Sequence, residues 1–212
     1  MVPAPAGSRA GHTGAMWTRA LLVLLALAAA GCGGGGDDSS CGAVGYVPQT
    51  IAAGLSAVEA PPATPTQIAL APNLALVDLD AAASAGIDLG YGATGAGDTA
   101  ARDVGVELAS GAAADGIRLW VDRALPPEVA SAYAFDAYRS DDNLGWTAIV
   151  PAGPAVFQAD GPAFDLPFAR TTARYVKLVT RPLATGITTD PGLRSVLVTE
   201  AQALVFVGGC AF

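Results

Sequence analysis

Histidine is almost missing from this 212-residue chain: the one copy, His12, lies near its start. Past that point nothing has the imidazole that moves protons near neutral pH. No cysteines stand at metal-ligand spacing, and no glycine-rich loop joins a strand to a helix. Histidine-based acid–base catalysis, zinc-type centres and phosphate cradles are excluded on those grounds. Carboxylates are plentiful, so hydrolysis by a pair of acids is the catalytic class left open. Basic residues are scarce, 11 Lys and Arg against 19 Asp and Glu, which makes nucleic acid a poor partner. No apolar run reaches the roughly 17 residues needed to cross a bilayer as a helix, and no repeat occurs at solenoid periods.

What is present begins at Met16. Arg19 supplies a positive start, Ala20 to Ala30 form a short apolar run, and Ala29-Ala30-Gly31-Cys32 closes it with small residues. That order is a secretion signal. It resembles a bacterial lipoprotein signal, whose closing cysteine is acylated and becomes the first residue of the mature chain, with Ala29 where such signals most often carry leucine. Residues 1–31 are therefore expected to be a lipoprotein signal peptide and Cys32 the lipidated residue, with 1–15 an upstream extension from a misassigned start. Residues 32–40 continue as GGGGDDSS after the cysteine, a flexible tether that cannot bury surface. Because Gly33 follows Cys32, the resemblance implies lipid anchoring at the outer membrane, on either its periplasmic or its cell-surface face.

Without residues 1–31 the chain keeps 9 basic and 19 acidic side chains. About 180 residues suit one domain with a sizeable core. With Cys32 given to lipid, Cys41 and Cys210 remain. An exported protein either oxidises them to a disulfide or carries two free thiols. A bridge would close nearly the whole domain, with a chain-entropy effect on the order of 5 kcal/mol.

Residues 41–69 are expected to be an irregular lead-in, since Ala60-Pro61-Pro62-Ala63-Thr64-Pro65 cannot donate to a ladder. From residue 70 to 212, short apolar runs alternate with glycine, proline and aspartate clusters, and no helical stripe lasts three turns. This predicts an all-β domain, an antiparallel sandwich. In Ile117-Arg118-Leu119-Trp120-Val121-Asp122, Ile117, Leu119 and Val121 share one face, and Arg118, Trp120 and Asp122 the other. Ala132 to Arg139 and Trp146 to Val150 flank the turn cluster Ser140 to Gly145 as a hairpin. Arg174 to Thr180 and Leu197 to Val207 are long β-favouring runs, expected to be interior strands.

These pieces resemble the discoidin, or coagulation-factor C-type, family of galactose-binding-like jelly-roll sandwiches. Tyr138 to Thr147 is similar to its serine-aspartate hairpin leaving through tryptophan and threonine. Ala173-Arg174-Tyr175-Val176-Lys177-Leu178 is similar to its penultimate strand, Val198 to Ala203 to its last, and Val104 to Val121 also fits. The resemblance spans roughly residues 70–207. It implies a buried Trp146 and end loops that bind ligand, and a disulfide joining the ends of the domain is common there. The counterpart of the family's early loop, Gly97 to Arg102, lacks its tryptophan.

Several residues remain as site candidates. Asp78 and Asp80 either ligate calcium together with loop carbonyls or stand as two solvated acids on one strand face. Asp141 and Asp142 belong to an acidic turn whose side chains can bond their own backbone or meet a ligand. Arg102, Arg139 and Arg170 lie in or beside predicted loops, where an anionic or hydroxyl-rich ligand can reach them. Trp120 lies either on a second buried face or in a contact patch. The sequence thus points to a non-catalytic, lipid-anchored envelope module that binds carbohydrate or another surface component. A subunit docking onto an outer-membrane protein complex and a carboxylate-based hydrolase are the alternatives.

Overall fold

The computed structural model describes residues 45–59, 65–79, 86–90, 99–184 and 186–208. In chain order its strands are β1 (Gly45–Pro48), β2 (Ile51–Glu59), β3 (Ala71–Pro72), β4 (Ile87–Asp88), β5 (Ala101–Leu108), β6 (Ala114–Val121), β7 (Phe135–Ser140), β8 (Thr147–Ile149), β9 (Val156–Gln158), β10 (Ala163–Thr171), β11 (Tyr175–Thr180) and β12 (Leu197–Val207). Sheet A runs β1-β12-β6-β10-β9, with β4 also on β12, and sheet B runs β3-β2-β5-β11-β7-β8. Every pairing between these strands is antiparallel. The chain crosses repeatedly between sheets: β5 lies in B, β6 in A, β7 and β8 in B, β9 and β10 in A, β11 in B and β12 in A. That is the all-β sandwich its alternating apolar runs predict.

Period-two patterning explains why the layers stack. Ile117, Leu119 and Val121 of β6 and Phe164, Leu166 and Phe168 of β10 face Val104, Val106, Val176 and Leu178 of sheet B in one buried cluster. Tyr133, Phe135 and Phe157 close around Phe164, with ring centroids 5.6, 5.2 and 4.9 Å from it. The hairpin forms as expected, Arg139 opposite Thr147. Ala132 and Tyr133, expected within its first strand, instead follow one helical turn at Pro127–Ala130, which starts with a proline whose missing N–H costs nothing there. Arg174 to Thr180 and Leu197 to Val207 supply interior strands, β11 between β5 and β7, and β12 between β1 and β6.

The segment expected to be an irregular lead-in is different. Ile51–Glu59 pairs along β5 from Ile51 opposite Leu108 to Glu59 opposite Ala101, and Gly45–Pro48 edges sheet A. Alanine and glycine dilute the apolar alternation of IAAGLSAVE, so its sequence signal is weak although it pairs along the whole of β5, with one register shift between Ile51 and Ala53. Close approach uses the missing side chains: a Cβ on Gly54 would lie 2.8 Å from Leu76 Cβ and 2.9 Å from Asn73 O.

Outside sheet B, the segment after residue 65 is tied down by the hairpin turn. Asn143 accepts from Leu70 N at 3.0 Å and donates to Leu70 O at 2.8 Å. Trp146 Nε1 donates to Ile68 O at 2.7 Å. Leu55, Leu70 and Trp146 thus form a second, smaller apolar cluster. Beneath it Lys177 and Asp103, both fully buried, pair at 2.5 Å, with the ammonium 4.6 Å from the Trp146 ring centre. Trp146 is buried, as expected, but it roofs this ion pair instead of joining the core between the sheets.

Candidate functional site

The face of sheet A turned away from the core carries a mixture of aromatic and planar polar side chains. Alternation on β6 sends Arg118 and Trp120 there because Ile117, Leu119 and Val121 point inward. On β12 a register shift between Val198 and Glu200 accommodates Thr199 and puts Glu200 opposite Trp120 and Gln202 opposite Arg118, while Ala201 and Ala203 face the core. β10 adds Asp165 opposite Arg118, and β9 adds Gln158 and Val156 beside it.

Arg118 and Asp165 meet side-on, Nε to Oδ1 at 2.6 Å and the second nitrogen to Oδ2 at 2.8 Å. This two-point geometry holds the guanidinium flat, 5.7 Å from the Trp120 ring centre. Trp120 is half-buried, and Gly161 backs onto it: a Cβ there would lie 3.2 Å from the indole. Its Nε1 is buried without a hydrogen-bond acceptor among the described residues. Gln158 donates to Asp165 at 3.4 Å, and Gln202 to Glu200 at 3.5 Å. Burial, and the charge of Asp78, push the Glu200 carboxyl above its ordinary range.

Toward the other end of these strands the face turns apolar. Gly116 lies opposite Leu204, where a Cβ would be 2.9 Å from Leu166 O, and the missing side chain leaves a hollow of about 240 Å³ bordered by Tyr46, Val156, Pro167 and Leu204. Beyond it Tyr46 and Phe206 stand opposite each other, exposed at 46% and 43%, their rings edge-to-face at 5.4 Å. Aromatic faces, planar amides and a guanidinium held flat are the equipment for stacking on rings and bonding hydroxyl groups.

No known protein-family profile and no curated protein matches the sequence. Among solved structures, a likeness exists to a pectin-binding carbohydrate-binding module, over 54% of this chain and 71% of that one, at 18% identity and a TM-score of 0.33. At that score residues are not carried from one chain to the other.

The sequence candidates are dispersed. Trp120 belongs to the face just described. Arg170 lies on β10 near its opposite end, where Asp115 grips it at 2.7 Å and it donates to Phe206 O at 3.2 Å. Arg102 is not on a loop: it is buried on β5, donating from Nε to Asp88 O at 2.9 Å, so it braces β4. Arg139 is exposed at the far end of sheet B from Arg102, near Asp141 and Thr172. Asp141 accepts from Arg174 N at 3.3 Å. Asp142 is a turn residue: Gly145 N, Leu144 N and Ser140 Oγ all donate to Oδ1 at 2.9 Å and hold its carboxyl below the ordinary range. Asp78 is exposed and follows a 3₁₀ turn (Leu74–Leu76) instead of lying on a strand. Asp80, Cys32, Cys41 and Cys210 lie outside the described residues. Among those described, no three His, Cys, Asp or Glu side chains converge on a metal position.

Arg118, Asp165, Gln158, Gln202, Glu200, Tyr46 and Phe206 were not singled out as site residues by sequence. A signal existed for some: Arg118 shares Trp120's parity, and Glu200 and Gln202 alternate with alanines. The partners on β9, β10 and β1 follow only from the pairing.

Proposed function

We propose that this chain is a non-catalytic carbohydrate-binding module, held at a bacterial outer membrane by lipid on Cys32, and that the Trp120 face of sheet A is its binding surface. The observation that carries the reading is the juxtaposition of Trp120, the Arg118–Asp165 pair and three further planar polar side chains, Gln158, Gln202 and Glu200, on one sheet face. A cleft of about 490 Å³, lined by Tyr133, Phe135, Pro154 and Phe168 among others, contains no carboxylate, lysine or arginine. It therefore offers little to a two-acid hydrolase. Residues 40–212 form one compact unit and can be assayed alone. In native gels containing polysaccharides, mobility falls in at least one neutral polymer, and Trp120→Ala restores it while the far-UV spectrum and melting curve stay native. Unchanged mobility in every polymer, with calcium and without, overturns the reading.

A second reading is favoured by the exposed apolar patch formed by Tyr46, Val156 and Phe206. Such a patch suits an envelope protein partner. Photo-crosslinking from Tyr46 in native membranes would then capture one protein, whereas diffuse products would count against it.

A further inference from the structure

The charges on the Trp120 face point to the class of glycan, an inference that rests on the carbohydrate reading above. Arg118 is the cation at the middle of the face, and both of its bonded nitrogens are spent on Asp165 at 2.6 and 2.8 Å. Gln158 donates to the same carboxylate. Next to Trp120 stands Glu200, another acid, 6% exposed. Arg170, toward the Phe206 end, is likewise taken up by Asp115 through three contacts at 2.7 to 3.2 Å. Among the described residues, an anionic sugar laid here meets guanidinium groups whose charge a carboxylate already offsets. A hydroxyl can donate to Asp165 or to the Gln202 and Gln158 carbonyls and accept from the remaining Arg118 nitrogen without displacing any ion pair.

The spacing of the rings adds length. Trp120 stands opposite Glu200 and Tyr46 opposite Phe206, six residues farther along β12, which at strand rise is about 20 Å. The hollow over Gly116 lies between them. We infer that the face binds a linear, uncharged polysaccharide running along the strands from Trp120 to the Tyr46–Phe206 pair, and that its paired charges turn away polyuronates. With Arg118 and Arg170 already paired, a sugar carboxylate finds no counter-charge to offset the loss of its hydration, and the aromatic ends hold a chain of several rings.

The test is calorimetry on residues 40–212 with three ligand series: neutral linear oligosaccharides of two to six rings, polygalacturonate fragments of the same lengths, and the same fragments with their carboxylates reduced to alcohols. Affinity for a neutral series that rises up to at least four rings, with polygalacturonate about tenfold weaker or worse and recovery on reduction, is the expected result. The double variant Asp165→Asn, Glu200→Gln frees Arg118 as a counter-charge and removes the Glu200 carboxyl, so its affinity for polygalacturonate rises at least tenfold. Wild-type binding of polygalacturonate as tight as its reduced form overturns the charge selection while leaving a carbohydrate module. Affinity that stops rising at two rings overturns the extended path. No binding in any series overturns the carbohydrate reading itself.

Discussion

Glu59 at the end of β2 is 3% exposed and shares its surroundings with Asp103 and Lys177, both fully buried. Burial beside a second carboxylate disfavours the ionised form of Glu59. Burial first, then the Asp103 charge, push the Glu59 carboxyl from 4.5 up to about 7, against the pull of Lys177 and Arg181, and Tyr138 faces the same group. The folded state keeps the Glu59 proton over a pH range in which the unfolded chain releases it. The stabilisation is therefore fully present below pH 4.5 and is lost as pH rises through about 7, a change worth ~3 kcal/mol. Glu59→Gln keeps the shape and removes the titration. Urea unfolding of wild type and variant is to be measured from pH 4 to pH 8. The variant is expected to gain on wild type by ~3 kcal/mol across that interval, the difference opening mainly between pH 4.5 and about 7. Parallel pH curves for the two proteins would refute the buried proton on Glu59.

Asn143→Ala removes both bonds to Leu70 and leaves alanine at a φ of 61°. A loss of about 2–3 kcal/mol in urea unfolding is expected, from two unmet backbone groups and a strained left-handed residue; Asn143→Gly is expected to cost less, since glycine carries no strain there. Cys32→Ala is expected to move the full-length protein from the carbonate-washed membrane pellet to the soluble fraction, and persistence in the pellet would sink the lipid anchor.

The elements that were legible in the sequence are those whose partners lie nearby or whose pattern is undiluted. The β7–β8 hairpin announces itself through its Ser-Asp-Asp-Asn turn, and β6 through strict alternation around Leu119. β2 was hidden because Ala52, Ala53, Gly54 and Ala57 blur the period, and the missing side chain of Gly54 matters only once Leu76 is seen against it. Lys177, the chain's only lysine, reads as a solvated strand residue. Its burial depends on Asp103 from β5 and Trp146 from beyond β7, a juxtaposition no local window contains. For the same reason Arg102, beside a predicted loop, is a brace. Trp120 was recognisable as a candidate by parity, but Asp165 and Tyr46 join its face only through the pairing of sheet A.

Residues 40–212 contain two tryptophans, Trp120 and Trp146, and their indole N–H signals resolve the central claim in one titration. Trp146 Nε1 is engaged with Ile68 O at 2.7 Å, whereas Trp120 Nε1 has no acceptor among the described residues. On adding a neutral linear oligosaccharide to ¹⁵N-labelled protein, the Trp120 indole signal shifts with saturation, together with the amides of Arg118, Asp165 and Gln202, and that of Trp146 stays in place. Saturable shifts confined to the loops around Asp141 and Thr172, or an unmoved Trp120 at saturating ligand, would contradict it.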